Sequence, residues 1–303
     1  MTQGTVLIAG ALGNFGGSAA TAFAAADWTV RRYRRGTDMA AAAQGADVIV
    51  NGLNPPLYHD WDALIPAITG QAIAAARASG ATLLVPGTVY VYGQEPGPWS
   101  EATPHRFVAR KGRIRAEMEA SYRQAAAAGV RVILLRSGDF IDPGNPNTLL
   151  EMIVLKGLPR GFMMPTGRPA ARRAYAYLPD LARAAVALAE MRAALAPYQE
   201  VNLPGLTFSM QELRAEIARQ TGRRPWLLPF PWPLLRLAAP FHELSRELLE
   251  MRYLHDLPHS LAGERFHRLL PEFATTSFAE VVARQLAALA AGKRGQVGDA
   301  RAA

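Results

Sequence analysis

Glycines at positions 10, 13 and 16 close the apolar run Val6-Leu7-Ile8-Ala9 and open an alanine-rich, helix-prone stretch. A buried strand that turns on such glycines into a helix leaves free backbone N–H groups at the positive end of the helix dipole. That end can cradle a dinucleotide pyrophosphate. Gly10 then allows the tight turn, Gly13 the approach of backbone to phosphate, and Gly16 the close packing of helix on strand. Leu12, Asn14 and Phe15 share this turn and are expected around the same ligand. Three glycines alone are a weak signal, because glycine-rich structural turns arise by chance; their place at the first strand–helix junction gives them weight.

An acid ending the second strand would bind the ribose hydroxyls of NAD. Here that strand ends Val30-Arg31-Arg32-Tyr33-Arg34-Arg35-Gly36, with no acid before Asp38. Arg34 and Arg35 offer two guanidiniums to a 2′-phosphate, so NADP is the favoured cofactor and NAD the second choice. The plainer alternative is a pair of arginines solvated at a strand end. The third strand ends Asn51-Gly52-Leu53, a small polar turn that would border the adenine ribose and pyrophosphate.

These groups need a scaffold, and the apolar runs supply one. Strands are expected at Thr5–Ala9, Thr29–Tyr33, Asp47–Asn51, Thr82–Pro86 and Arg131–Arg136. Helices are expected near Gly16–Ala26, Met39–Gln44, Trp61–Ser79 and Arg110–Ala128. Such alternation predicts an α/β fold, a Rossmann-like doubly wound parallel sheet over residues 1–145. Beyond it Pro143, Pro146, Pro159, Pro165 and Pro169 break the pattern. A smaller α/β lobe is expected over 146–291, with some segments returning to the main sheet, and a disordered tail over 292–303. That lobe reads as a helix at Leu178–Arg192, a strand at Tyr198–Leu203, and helices near Ser209–Thr221, Leu234–Leu249 and Ser277–Ala290. The Trp-, Leu- and Pro-rich segment Pro225–Pro240 is read first as packing of the smaller lobe against the main one, with a lid, a partner-binding patch or a membrane-contacting wedge as the alternatives.

The 303 residues carry a formal charge of +8 with lysine only at 111, 156 and 293. Dispersed arginine without aromatic interleaving argues against nucleic acid and for phosphate-bearing small molecules, an anionic substrate among them. The absence of cysteine excludes disulfides and thiolate chemistry. The six histidines lack metal-site spacing, Pro258 standing between His255 and His259, so no metal is expected. No apolar stretch is long enough to span a bilayer, and a cytoplasmic protein without stable membrane association is expected.

Several segments together resemble the extended and atypical short-chain dehydrogenases/reductases, the NAD(P)-dependent epimerase/dehydratase group. The turn Gly10-Ala11-Leu12-Gly13-Asn14-Phe15-Gly16 is similar to their GxxGxxG. Val85-Pro86-Gly87-Thr88-Val89-Tyr90-Val91-Tyr92-Gly93 resembles their S/T-x-x-V-Y-G signature, and the loop through Glu101 and Pro104 resembles the acidic–proline loop that follows it. Leu135-Arg136 through Gly144, and Tyr177-Leu178-Pro179-Asp180-Leu181-Ala182-Arg183-Ala184, resemble two later family segments. The likeness covers roughly residues 5–220, in family order. It implies that Thr88 orients the substrate oxygen, that Pro86 and Gly87 border the cofactor, and that Tyr92 is structural.

The chain departs from the family at its Tyr-x-x-x-Lys pair. Alignment places the tyrosine near Ala109 and the lysine near Arg113, and no tyrosine lies within reach. Lys111, Arg113 and Arg115 bring cations there instead. Lys111 is the first candidate to touch the nicotinamide ribose and handle the proton, with Tyr90 behind it; a solvated face pairing with Glu117 and Glu119 is the alternative. The resemblance implies an NAD(P)-dependent oxidoreductase or epimerase moving a hydride at a carbonyl or alcohol carbon, with a nucleotide-sugar as its commonest substrate class. The missing tyrosine favours the alternative, a non-catalytic NADP(H)-binding sensor or assembly protein. Helices 61–79 and 110–128 are candidates to pair across a two-fold axis, so a monomer or a homodimer is expected.

Overall fold

The structure, a computed structural model, describes residues 3–145 and 147–299, with side chains as far as residue 291. The first half runs β1 (Thr5–Ala9), α1 (Asn14–Ala25), β2 (Thr29–Arg32), α2 (Met39–Ala42), β3 (Val48–Asn51), α3 (Trp61–Ser79), β4 (Thr82–Gly87), α4 (Arg110–Ala127) and β5 (Val132–Arg136). The second half runs β6 (Asp139–Ile141), β7 (Phe162–Met163), β8 (Arg173–Tyr177), α5 (Leu178–Glu190), β9 (Tyr198–Asn202), β10 (Leu206–Phe208), α6 (Met210–Thr221), β11 (Trp226–Leu227), α7 (Trp232–Ala238), α8 (Glu243–Glu250), α9 (Arg252–Asp256), α10 (Glu264–Leu269) and α11 (Phe278–Asp299).

The main sheet is parallel throughout, in the order β2-β1-β3-β4-β5-β9. Its central strands are apolar in both directions because both faces are covered. Val6 and Ile8 of β1 pack with Phe15, Ala19 and Phe23 of α1 and with Leu181 and Leu188 of α5. Leu7 and Ala9 turn the other way, into a core with Trp61 and Ile65 of α3 and Met118 and Tyr122 of α4. From β1 the chain moves outward to β2 and then crosses back to β3. That reversal opens a crevice at the carboxyl ends of β1 and β3, where doubly wound sheets bind their ligands. The familiar dinucleotide order 3-2-1-4-5-6 would need a further strand outside β2. Residues 33–47 hold only α2, so β2 is the edge.

Residues 178–202, within the expected smaller lobe, return to the main sheet: α5 lies against α1, and β9 pairs with β5. The rest of that lobe is built on a second sheet, β10-β8-β6. Its strands are short and sit among prolines, so the sequence pattern shows no strand at Arg173–Tyr177, although all five residues are buried. The helix expected from Gly16 begins at Asn14, which puts Gly16 inside its first turn. The helix expected over Leu234–Leu249 is two, α7 and α8, because Pro240 lacks an N–H and its ring clashes with the preceding turn.

Packing explains only part of the Pro225–Pro240 segment. Trp232 is buried and donates from Nε1 to the Thr166 carbonyl at 2.9 Å, whereas Trp226, Leu234, Leu237 and the adjacent Phe241 are exposed. The side chains of the tail expected from Gly292 lie outside the described residues. No helix among the described residues is long and apolar enough to cross a membrane.

Candidate functional site

The crevice measures about 600 Å3 and reaches from the β1–α1 turn, past the ends of β3 and β4, to the segment after β5. Its floor is set by contacts that only glycine permits. Gly10 has φ of +84°, and a Cβ there would lie 2.7 Å from the Gly52 carbonyl. A Cβ on Gly16 would meet the Gly10 carbonyl oxygen well inside 3.0 Å. Gly52 is confined likewise, 3.2 Å from the Ala9 oxygen and the Gly16 nitrogen. These three positions lock β1, β3 and the start of α1 together.

Helix α1 has no side-chain cap and no acid in its first turn, so its leading N–H groups remain free for an anion. Leu12, Gly13, Asn14, Phe15, Asn51, Gly52, Leu53, Pro86, Gly87 and Thr88 all line the crevice. Asn14 spans its mouth, donating to the Asn147 carbonyl at 3.1 Å and accepting from Asn145 Nδ2 at 2.7 Å. The backbone cradle therefore fits a dinucleotide pyrophosphate.

Arg34 and Arg35 stand apart from this wall. Both are exposed beyond the end of β2, neither lines the crevice, and neither guanidinium has a hydrogen-bonded partner among the described residues. Asp38, the first acid after β2, caps α2 by accepting from Ala40 N at 2.8 Å and Ala41 N at 3.3 Å.

Thr88 ends β4 and enters a 3₁₀ turn at Val89–Tyr92. Thr88 and Ser137 both line the crevice, and the hydroxyl of each is buried with no hydrogen-bond partner among the described residues. Burial of an unpaired hydroxyl is unfavourable, so such groups point to a missing partner. The Thr88 backbone is held from behind, where its carbonyl accepts from Arg136 Nη1 at 2.5 Å. Arg136 is itself buried between Glu119 (Nη2 to Oε2, 2.7 Å) and Glu200 (Nη2 to Oε1, 2.5 Å). His105, Glu119 and Glu200 converge closely enough to resemble a metal site, but Arg136 and Arg123 together balance the two carboxylates. Arg136 and Arg123 hold the Glu200 carboxyl below the usual range against the opposing effect of burial.

Tyr92 is structural in its setting. Its ring stacks on Trp99 at 4.8 Å, its hydroxyl donates to the Ser100 carbonyl at 3.3 Å, and burial raises its pKa to about 12. Glu101 ties the acidic–proline loop to β9 by accepting from Asn202 N at 2.8 Å.

Lys111 is the clearest correction. It was expected at the reacting centre, yet it is fully buried behind the crevice wall and does not line it. Its ammonium is paired with Glu247, and with Glu250 at 2.7 Å, both carried by α8. The residue one turn further on, on the same face of α4, does reach the cavity. Arg115 lines the crevice, its guanidinium 4.6 Å from the Trp61 ring and donating to Asn54 Oδ1 at 2.7 Å. Arg113 lies outside, pairing with Asp62 at 3.0 Å and Glu117 at 2.9 Å. One helix thus distributes its three cations to three environments.

Sequence reasoning missed Tyr58 and Asp139. Tyr58 lies on the β3–α3 loop, where Leu57, Tyr58 and Asp60 adopt φ of 52°, 64° and 42°. Non-glycine residues rarely adopt such angles, and the adjoining prolines were the one visible sign of an unusual loop. The Tyr58 and Tyr90 hydroxyl oxygens are 3.4 Å apart. Asp139, on the far wall, pairs with Arg173 at 3.3 Å.

No protein-family model and no curated sequence relative matches this chain. Solved structures do. One, MoeE5 in complex with UDP-glucose and NAD, superposes with a TM-score of 0.77 at 18% identity, covering 95% of this chain and 99% of that one. UDP-glucuronic acid 4-epimerase from Bacillus cereus, in complex with UDP-glucuronic acid and NAD, gives 0.73 at 14% identity, covering 93% and 97%. A nucleoside-diphosphate-sugar epimerase from Pseudomonas aeruginosa gives 0.71 at 18%, covering 95% and 98%. The chain has the Rossmann-like α/β fold of these structures along nearly its whole length.

Proposed function

We propose that this protein is a nicotinamide-dinucleotide-dependent oxidoreductase or epimerase acting on a nucleotide-sugar. The observation that carries the reading is Thr88, its buried hydroxyl without a partner among the described residues, in the wall of a crevice whose floor is a glycine-locked helix N-terminus. The free N–H groups of the first turn of α1 would hold the cofactor's pyrophosphate, and Asn51, Gly52 and Leu53 would border its adenine ribose. A bound nicotinamide supplies hydride chemistry. Thr88 donates its hydroxyl hydrogen to the substrate oxygen, and Arg136 keeps the Thr88 backbone in place. Arg115 presents a fixed positive charge to the ribose or to a substrate anion.

NADP is the preferred form, because Arg34 and Arg35 are unpaired cations at the end of the strand beside β1. They would fold inward on a 2′-phosphate from their exposed positions. The sensor alternative leaves the unpaired hydroxyls of Thr88 and Ser137 without a use. The groove between α3 and α4, with Ile65, Ile73 and Met118 at its base and Arg77, Glu117 and Gln124 also in its lining, is the surface on which two copies would pair.

The reading is tested by incubating the protein with NADPH or NAD and UDP-glucose, UDP-galactose or UDP-glucuronic acid, and following both cofactor absorbance and sugar stereochemistry by NMR. Turnover on this panel is expected to fall at least 100-fold in Thr88→Val with cofactor affinity unchanged. Equal turnover by the variant would remove Thr88 from the chemistry.

A further inference from the structure

Resting on that reading, we propose that the Tyr58–Tyr90 phenol pair is the acid–base group of this crevice, passing a proton to and from the substrate oxygen held by Thr88. The two hydroxyl oxygens lie 3.4 Å apart and line the same cavity as the Thr88 hydroxyl. The other charged or titratable side chains of the cavity are already committed. Asp139 is paired with Arg173, Tyr122 accepts from Asn51 Nδ2 at 3.2 Å, and Arg115 cannot release its proton in water. Lys111 belongs to the glutamates of α8 and reaches the cavity only through its contact with the Tyr58 ring, 4.9 Å from ammonium to centroid.

The Tyr58 loop is held by the same helix. His59 Nδ1 meets Glu243 of α8 at 3.2 Å. Arg110, next to Lys111, bridges Asp62 and Glu247. Three non-glycine residues at positive φ within the four positions 57–60 are unfavourable unless the surroundings enforce them. The clamp enforces them and aims Tyr58 at Tyr90.

In the reductive direction the carbonyl carbon receives a hydride from the dihydronicotinamide when that is bound. The C=O π pair becomes a lone pair on oxygen, and this oxygen takes the phenolic proton. One tyrosine O–H bond breaks, the alcohol O–H forms, and the phenolate is reprotonated through the second tyrosine from solvent. The charged groups facing the pair are Arg115 and Asp139 for both phenols, with Glu247 and Lys111 also facing Tyr58. Burial raises both phenols and outweighs Arg115, so both carry their protons at neutral pH. An alkoxide is more basic still, so donation is downhill. Oxidation requires a phenolate and accelerates as pH rises.

The test uses the full chain labelled with 13Cζ-tyrosine. The Tyr58 and Tyr90 signals are assigned by their loss in Tyr58→Phe and Tyr90→Phe and titrated with NADP+ or NADPH bound. The oxidised nicotinamide is cationic and, bound in the crevice that Tyr58 and Tyr90 line, would bring its charge toward the pair. It is expected to strengthen the acidity of at least one phenol tenfold or more relative to NADPH. Replacing one tyrosine is expected to move the titration of the other. On any substrate the panel reveals, each Phe variant is expected to lose 100-fold or more in kcat with unchanged cofactor affinity. Titrations that are identical with both cofactor forms, although both bind, would overturn the proposal and leave the cofactor reading intact. Failure of both forms to bind would overturn the two together.

Discussion

Replacing Gly16 with alanine strikes the joint on which the crevice is built. The added Cβ would press on the Gly10 carbonyl oxygen, a backbone atom fixed by β1 that cannot rotate away. Relief requires α1 to withdraw from β1 and β3 by about an ångström, at a cost toward the upper end of the ~1–3 kcal/mol typical of overpacking. Alanine's better helix propensity returns up to about 1 kcal/mol. The expected net loss is about 2 kcal/mol, a fall in Tm of about 4–8 °C at about 2–4 °C per kcal/mol. The same withdrawal pulls the first-turn N–H groups off the pyrophosphate. Losing one charge-assisted hydrogen bond, worth about 1.5–3 kcal/mol, weakens cofactor binding about 10–100-fold. Gly70→Ala, within α3, is the control, because a Cβ there would meet nothing within 4 Å. Its Tm and affinity are expected to stay near those of the parent. Calorimetric melting and fluorescence titration of NADPH read both effects. A Gly16→Ala protein with parental Tm and affinity would refute the reasoning.

Three other outcomes are expected. The double variant Arg34→Ala/Arg35→Ala should bind NADPH about 10-fold more weakly or worse while NADH binding is unchanged, consistent with loss of charged hydrogen bonds of ~1.5–3 kcal/mol; equal losses for the two would show that these arginines do not select the phosphate. Arg136→Met leaves Glu119 and Glu200 buried with only the partly exposed Arg123 as their cation and should cost about 3 kcal/mol in denaturant unfolding. Adding Glu119→Gln should recover part of that loss. His255 is held neutral by burial, with a pKa lowered to about 3, and its Nδ1 accepts from Arg173 Nη1 at 2.8 Å. Because its folded value lies below the unfolded 6.5, stability is fully present above pH 6.5 and declines as pH falls toward 3, while the unfolded chain takes up the proton. The Tm-against-pH slope across that window should flatten in His255→Gln, and an unchanged slope would assign the loss elsewhere.

The sheet and its crevice were legible in the sequence because local signals agreed with tertiary ones. Val6–Ala9 is apolar in both directions, and Gly10, Gly13 and Gly16 mark the following turn. Asn51-Gly52-Leu53 and Thr88 lie at strand ends, where alternation fixes the register closely. Lys111 was misread because sequence spacing cannot say which way a helical side chain faces; Glu247 and Glu250, remote in the chain, claim its charge. Tyr58 was invisible for the related reason that its left-handed backbone is imposed by α8 rather than by glycine. The short strands β6, β8 and β10 gain their order from pairing across the smaller lobe, which no local window contains. Trp226, Leu234 and Leu237 show the reverse failure, since apolar composition suggested packing that Trp232 achieves and Leu227 achieves in part.

The central claim is that bare amides at the start of α1 hold a nicotinamide dinucleotide, and isothermal titration of the intact chain with NADPH and then NADH addresses it most directly. The account expects saturable one-to-one heat for NADPH, a weaker NADH isotherm, and loss of much of the affinity in Gly16→Ala. Flat traces for both nucleotides at millimolar concentration would contradict it.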